Sequence, residues 1–203
     1  MYPKFVDKNN IEKIEDVQNG RLFKLSIPLN FKGGKRLLVI SRGVKPFEFD
    51  GYNKMVLRIL NYIKHKKNEE FIGVSRVDIV FLFPVMEYEC SSLENILYEY
   101  GEKYLIGNDG FYDEKGNLIK NDEVIFESMM SANYLILAWG DMPSELCQLS
   151  KERIKYLLKG YKIIKNNSID VKESYTVGAL TNNCCPKHCL AWKNTDELFE
   201  IEL

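Results

Sequence analysis

Three thiols and an imidazole fall within six residues of this chain, in the run Cys184-Cys185-Pro186-Lys187-His188-Cys189. Such a cluster suggests two chemistries, soft-metal ligation and nucleophilic attack by a thiolate. Cys185 and His188 have the spacing of a zinc-ligand pair, but tetrahedral zinc ordinarily draws a second pair from another segment. Cys90, Cys147 and His65 each stand alone in the sequence, so no metal and no other cofactor is expected. A nucleophilic thiol needs a neighbouring base or helix N-terminus to lower its pKa. His188 directly precedes Cys189, and neighbours in extended chain point to opposite faces. Inert, reduced thiols are therefore the expectation. His188 itself follows a polar loop and stands beside Lys187, where a neutral imidazole can hydrogen-bond a base carbonyl or a phosphate.

Other residues with chemical potential sit where apolar runs end. Ser41-Arg42-Gly43 follows the run Leu37-Leu-Val-Ile40, and Trp139-Gly140-Asp141 follows Leu135-Ile-Leu-Ala138. Phe83-Pro84 and Leu180-Thr181-Asn182 close two further apolar segments. Arg42 offers a planar fork suited to phosphate or carboxylate, Trp139 a stacking face, and Gly43 and Gly140 close backbone approach. In open α/β sheets, ligands bind outside the carboxyl ends of the strands. The expected ligand-binding set is thus Ser41, Arg42, Gly43, Trp139, Gly140, Lys187 and His188. No catalytic residue is assigned. No P-loop, G-x-G-x-x-G, H-E-x-x-H or G-x-S-x-G motif supports the common NTPase, dehydrogenase, zinc-protease or hydrolase readings.

The elements that must position these residues are legible as patterns. Arg21 to Ile27 alternates like a half-buried strand, Gly33-Gly34 signals a turn, and Arg36–Ser41 is a short apolar run, together reading as a β-hairpin. Tyr52, Met55, Val56, Ile59, Leu60 and Ile63 recur at helical spacing behind Asp50 as N-cap, and the basic run Lys64–Lys67 suits the helix C-terminus. Val77–Phe83 is a further buried strand, and Ser91 with Glu94 has capping-box spacing ahead of a short helix. Residues 101–120 are the longest irregular stretch. Asn121-Asp122 caps a helix, Tyr134–Gly140 is a strand, and Leu146 to Tyr161 marks a helix of three to four turns. Tyr175–Leu180, His188–Trp192 and Leu198–Leu203 read as extended segments. Strands alternating with helices imply one α/β domain over 1–203. The form expected is a three-layer α/β/α sandwich with a mostly parallel central sheet and an N-terminal β-hairpin, preceded by an arm over residues 1–20.

Composition bounds the partners. The 203 residues carry 28 Lys+Arg against 29 Asp+Glu, with 45% hydrophobic residues. This excludes a disordered chain and argues against a nucleic-acid binder working by bulk charge. Nucleic acid is accordingly not the favoured partner, and a small anionic or nucleotide-like ligand is. No run approaches the roughly 18 apolar residues of a membrane helix. Met1 to Asp16 shows no signal-peptide hydrophobic region, so a cytoplasmic location with reduced cysteines is expected.

Taken together, Leu37 to Gly43, the Val-Phe-Leu-Phe-Pro strand end, Asn121-Asp122, Ala138-Trp139-Gly140 and Pro186-Lys187-His188-Cys189-Leu190 resemble the bacterial and phage family known as domain of unknown function 1643. The resemblance spans about residues 36–203. The family pattern has Asn-Pro-Ser-Thr after the first core strand, where this chain has Ser41-Arg42-Gly43-Val44. It also has proline after the histidine, where Cys189 stands here. Its layout is similar to the uracil-DNA glycosylase-like fold, in which a strand-end loop and a late histidine segment bracket a flipped base. The resemblance implies a nucleobase or nucleotide ligand in a phage or mobile-element setting. A non-enzymatic protein-interaction role, or a nucleobase- or DNA-modifying enzyme, are the alternatives it leaves open.

Overall fold

The apolar runs of the sequence become the central strands of a mixed seven-stranded sheet. A computed structural model describes residues 2–45, 53–86, 92–168 and 173–201. In chain order the strands are β1 (Glu12–Asp16), β2 (Arg21–Pro28), β3 (Lys35–Ser41), β4 (Val74–Phe81), β5 (Phe111–Tyr112), β6 (Leu118–Ile119), β7 (Tyr134–Ala138), β8 (Glu173–Val177) and β9 (Leu198–Glu200). The helices are α1 (Lys54–Lys66), α2 (Leu93–Ile106), α3 (Asn121–Ser131) and α4 (Cys147–Asn167). The sheet runs β1-β2-β4-β3-β7-β8-β9. Its four middle strands, β4, β3, β7 and β8, are parallel, and β1, β2 and β9 pair antiparallel at the two sides. The fold is α/β.

Strand periodicity divides the core. Leu37, Val39, Val77, Ile79, Ile136 and Ala138 face one side with Val56, Ile59, Leu60 and Ile63 of α1. Leu38, Ile40, Val80, Leu135 and Leu137 face the other with residues of α2, α3 and α4. Burial on both faces explains why these strands read as continuous apolar runs rather than as alternation. Two of the runs, β3 and β7, lie side by side in register, Ser41 opposite Ala138.

Several expectations are corrected. Arg21–Ile27 and Arg36–Ser41 do not form a hairpin, because β4 lies between them, pairing antiparallel with β2 and parallel with β3. The N-terminal hairpin is instead β1–β2, so the supposed arm contributes a strand. With β1 covering its edge, β2 is buried almost throughout. The stretch 101–120 is also more ordered than its composition suggests. α2 continues past Gly101, which takes φ 79° and ψ 175°, as far as Ile106, and β5 and β6 make a small hairpin. α4 extends to 21 residues, well beyond the apolar repeat that marks its buried face. Cys189–Ala191 forms a 3-10 turn rather than a strand.

Caps differ too. Asp50 and Ser91 lie outside the described residues. Asn53 caps α1, its Oδ1 accepting from the Met55 and Val56 N–H groups at 3.0 and 3.2 Å, and Ser92 caps α2 through the Asn95 N–H. Asn121 and Asp122 lie inside α3 rather than before it. Asn121 is buried and donates to the carbonyls of Phe81 and Ile106, both at 2.9 Å, which ties α3 to the end of β4.

Candidate functional site

β3 is followed in sequence by β4 on one side and has β7 on the other, so the order of connections reverses between β3 and β7. That reversal is where an open α/β sheet leaves a crevice at its carboxyl edge. Ser41 and Ala138 end the two strands, and the loops that follow carry Arg42 and Gly140-Asp141.

The loops are tied to one another by polar bonds. Arg42 Nη1 donates to the Asp141 carbonyl at 2.9 Å. The Asp141 carboxylate accepts from Thr181 Oγ1 at 2.6 Å, and that hydroxyl also accepts from the Cys185 N–H at 3.2 Å. One chain of bonds thus links the segments after β3, β7 and β8. Gly140 adds a second link, its N–H donating to the Pro186 carbonyl at 3.0 Å. At φ 72° a side chain here would be strained, and a Cβ would lie 2.7 Å from the Cβ of His188. Glycine is required so that the segments carrying Ala138-Trp139-Gly140 and Pro186-Lys187-His188 can touch.

His188 is half-buried at the head of the Cys189–Ala191 turn, with Nδ1 accepting the Leu190 N–H at 3.2 Å. Burial, reinforced by the Arg42 guanidinium, pushes its imidazole down to about 4. At neutral pH the ring is uncharged. With Nδ1 used as acceptor, its proton sits on Nε2, and among the described residues that nitrogen has no hydrogen-bond partner. The site therefore pairs a permanent cation with a neutral N–H donor whose tautomer is fixed by the backbone.

Two of the thiols, Cys185 and Cys189, are held toward the protonated form. Cys189 is buried with Sγ 3.7 Å from Ser41 Oγ, and burial pushes it up to about 12. Cys185 is raised by burial and then by the Asp141 carboxylate. Cys184, exposed, holds the one positive φ of a non-glycine residue among those described, 58°. Among the described residues no three His, Cys, Asp or Glu side chains gather as metal ligands.

Of the seven expected residues, Arg42, Gly140 and His188 converge, with Ser41 buried beneath them against Met55 and Cys189. Gly43 approaches the β4 end, where a Cβ would lie 3.3 Å from the Phe83 carbonyl. Two residues depart. Trp139 is 4% exposed and packs in the core on the α3–α4 side, so it is no stacking wall. Lys187 turns away to Asp196, 3.1 Å from its carboxylate, while its carbonyl accepts from Trp192 Nε1. Asp141 and Thr181, which the residue-by-residue reading passed over, hold the loops together. Both belong to strand-end segments, and for Asp141 its place directly after the strand-end Gly140 is the available signal.

No protein-family model matches this chain, and neither a curated protein nor a solved structure does. Among the described residues, no helix is long and apolar enough to cross a membrane.

Proposed function

We propose that this protein binds a nucleobase, nucleotide or nucleotide-derived small ligand at the carboxyl-terminal edge of its parallel strands. The observation that carries the reading is the pairing of Arg42 with a neutral, Nε2-protonated His188 at the β3/β7 reversal. A guanidinium fork suits a phosphate or carboxylate, and an imidazole N–H suits a carbonyl or phosphate oxygen. A ligand presenting both kinds of acceptor matches the pair better than a simple anion does. The resemblance to domain of unknown function 1643 supports it, since its two most specific elements are in contact through Gly140 and Pro186. Raised thiol pKa values favour binding over thiol catalysis. Reduced cysteines, four of them free among the described residues, favour a cytoplasmic setting, and a phage or mobile-element role follows from the resemblance alone.

The test is a thermal-shift and calorimetric screen with free bases, nucleosides and nucleoside mono-, di- and triphosphates at millimolar concentration. Stabilisation of the wild type that Arg42→Gln and His188→Ala both weaken is expected. No response of the folded protein to any of these ligands would retire the reading in favour of a protein-interaction role.

A further inference from the structure

The opposite, amino-terminal end of the parallel strands carries a second surface that the proposed pocket does not use. Residues 28–36 and 64–76 hold seven Lys and Arg against two Glu, in a chain whose formal net charge is −1. Topology concentrates them. Pro28 at the end of β2 pairs with Arg76 near the start of β4, Lys35 at the start of β3 pairs with Val74, and α1 delivers its basic last turn to the same end. The helix macrodipole accounts for Lys64 and Lys66. It does not account for Lys32, nor for how the side chains are held.

Phe5 and Phe31 stack with ring centroids 5.4 Å apart. The Lys64 ammonium lies 5.2 Å from the Phe5 centroid and the Lys67 ammonium 4.5 Å from that of Phe31. Two cations three residues apart are thus seated side by side on an aromatic floor, which lowers the entropy cost of using them together. Next to Lys67 opens a cavity of about 430 Å³ lined by Asn30, Lys32 and Asn68 together with the apolar side chains of Phe31, Phe71 and Ile72. Lys66 is paired with Glu70 at 3.0 Å and Arg76 with Glu12 at 2.8 Å. Among the described residues, Lys32, Lys64 and Lys67 have no carboxylate partner.

We infer that this end of the sheet binds the phosphodiester backbone of nucleic acid, with Lys32, Lys64 and Lys67 neutralising phosphates and Asn30 and Asn68 hydrogen-bonding phosphate or sugar. Lysines and amides grouped on one wall of a cavity are what backbone contact uses. A protein partner would need exposed aromatic or aliphatic anchors. Here Phe5 and Phe31 are half-buried beside their lysines, and the exposed large apolar side chain of this segment is Ile72. With contacts made to phosphate and sugar, binding is independent of sequence and strongly salt-dependent.

The test is fluorescence anisotropy of labelled random-sequence oligonucleotides, single- and double-stranded, across a salt titration with the full chain. Three phosphate contacts give a log–log salt slope of about −2 to −3. The double variant Lys64→Glu/Lys67→Glu loses at least ~10-fold in affinity and about two from the slope. Lys32→Glu, on a separate loop, loses about one. Circular dichroism reports whether each variant is folded. Arg42→Gln leaves this binding unchanged, which separates its outcome from that of the nucleotide pocket. Absence of binding at low salt, affinity unaltered in the folded charge-reversal variants, or equal affinity for polyglutamate or phosphatidylserine vesicles would overturn the assignment.

Discussion

Acidification reads the environment of His188 directly. An ordinary histidine titrates near 6.5, whereas burial first and Arg42 second bring this one down to about 4. Between those values the unfolded chain binds a proton that the folded protein refuses. Stability from this site is therefore fully present above about pH 6.5 and is lost as pH falls toward 4. At 1.36 kcal/mol per pH unit the whole span is worth roughly 3 kcal/mol, and a drop from about pH 7 to about pH 4.5 takes roughly 2 kcal/mol of it. A local bond makes the refusal concrete, since a protonated ring would donate from both nitrogens and could no longer accept the Leu190 N–H. Urea denaturation of the wild type and of His188→Gln at both pH values isolates the effect, because carboxylates titrating in both proteins cancel in the difference. The wild type should lose roughly 2 kcal/mol more than the variant. Ring-nitrogen NMR should show Nε2 protonated, with a midpoint near 4 that rises in Arg42→Gln. A midpoint near 6.5, or equal pH losses in both proteins, would refute the reasoning about the site's electrostatics.

Three further outcomes are expected. Gly140→Ala forces a side chain into the left-handed region against His188 and should cost about 1 to 3 kcal/mol in denaturant melts, with ligand affinity falling alongside. Arg21 is buried between Asp16 and Asp109, so Arg21→Ala should destabilise by about 3 to 5 kcal/mol, through the buried Asp16 carboxylate it strands. Maleimide labelling of the native protein followed by peptide mapping should modify Cys184 first, and Cys189 only on unfolding. Labelling of Cys189 at the rate of Cys184 would contradict its burial.

What could be read in advance followed the strength of local patterning. The runs Leu37–Ile40 and Leu135–Ala138 announce buried parallel strands because both faces of each are covered, and the repeat from Met55 to Ile63 announces an amphipathic helix because only one of its faces is. The strand-end rule points to Arg42 and Gly140 at one edge, and His188 stands out separately, by the polar loop it follows. Pairing was not legible. Nothing local tells β2 to accept β4 instead of β3, since that choice depends on a crossover through α1 and on β1 occupying the other side. The apolar run Leu135–Ala138 already favours a core place for Trp139 over a stacking one, whereas the role of Lys187 is hidden. One residue's register decides that Trp139 faces the core, and Asp196, nine positions on, decides where the Lys187 ammonium goes. The basic run at the end of α1 was visible, but its aromatic floor was not, because Phe5 and Phe31 come from segments that only the fold brings beside the helix.

The hairpin that replaced the expected arm has a bearing on solubility. β2 is buried almost throughout, and its outer hydrogen-bonding edge is taken by β1, a short strand of sequence Glu-Lys-Ile-Glu-Asp with a register shift between Ile14 and Glu15. Charge and irregularity on the outermost strand discourage another chain from adding to the sheet. A chain shortened to begin near Asn19 would keep the carboxyl-edge site, yet present β2, with Leu22, Phe23, Leu25 and Ile27, as an unpaired eight-residue edge. Such a protein would be prone to self-association through strand addition, so the first sixteen residues act as the sheet's guard against aggregation.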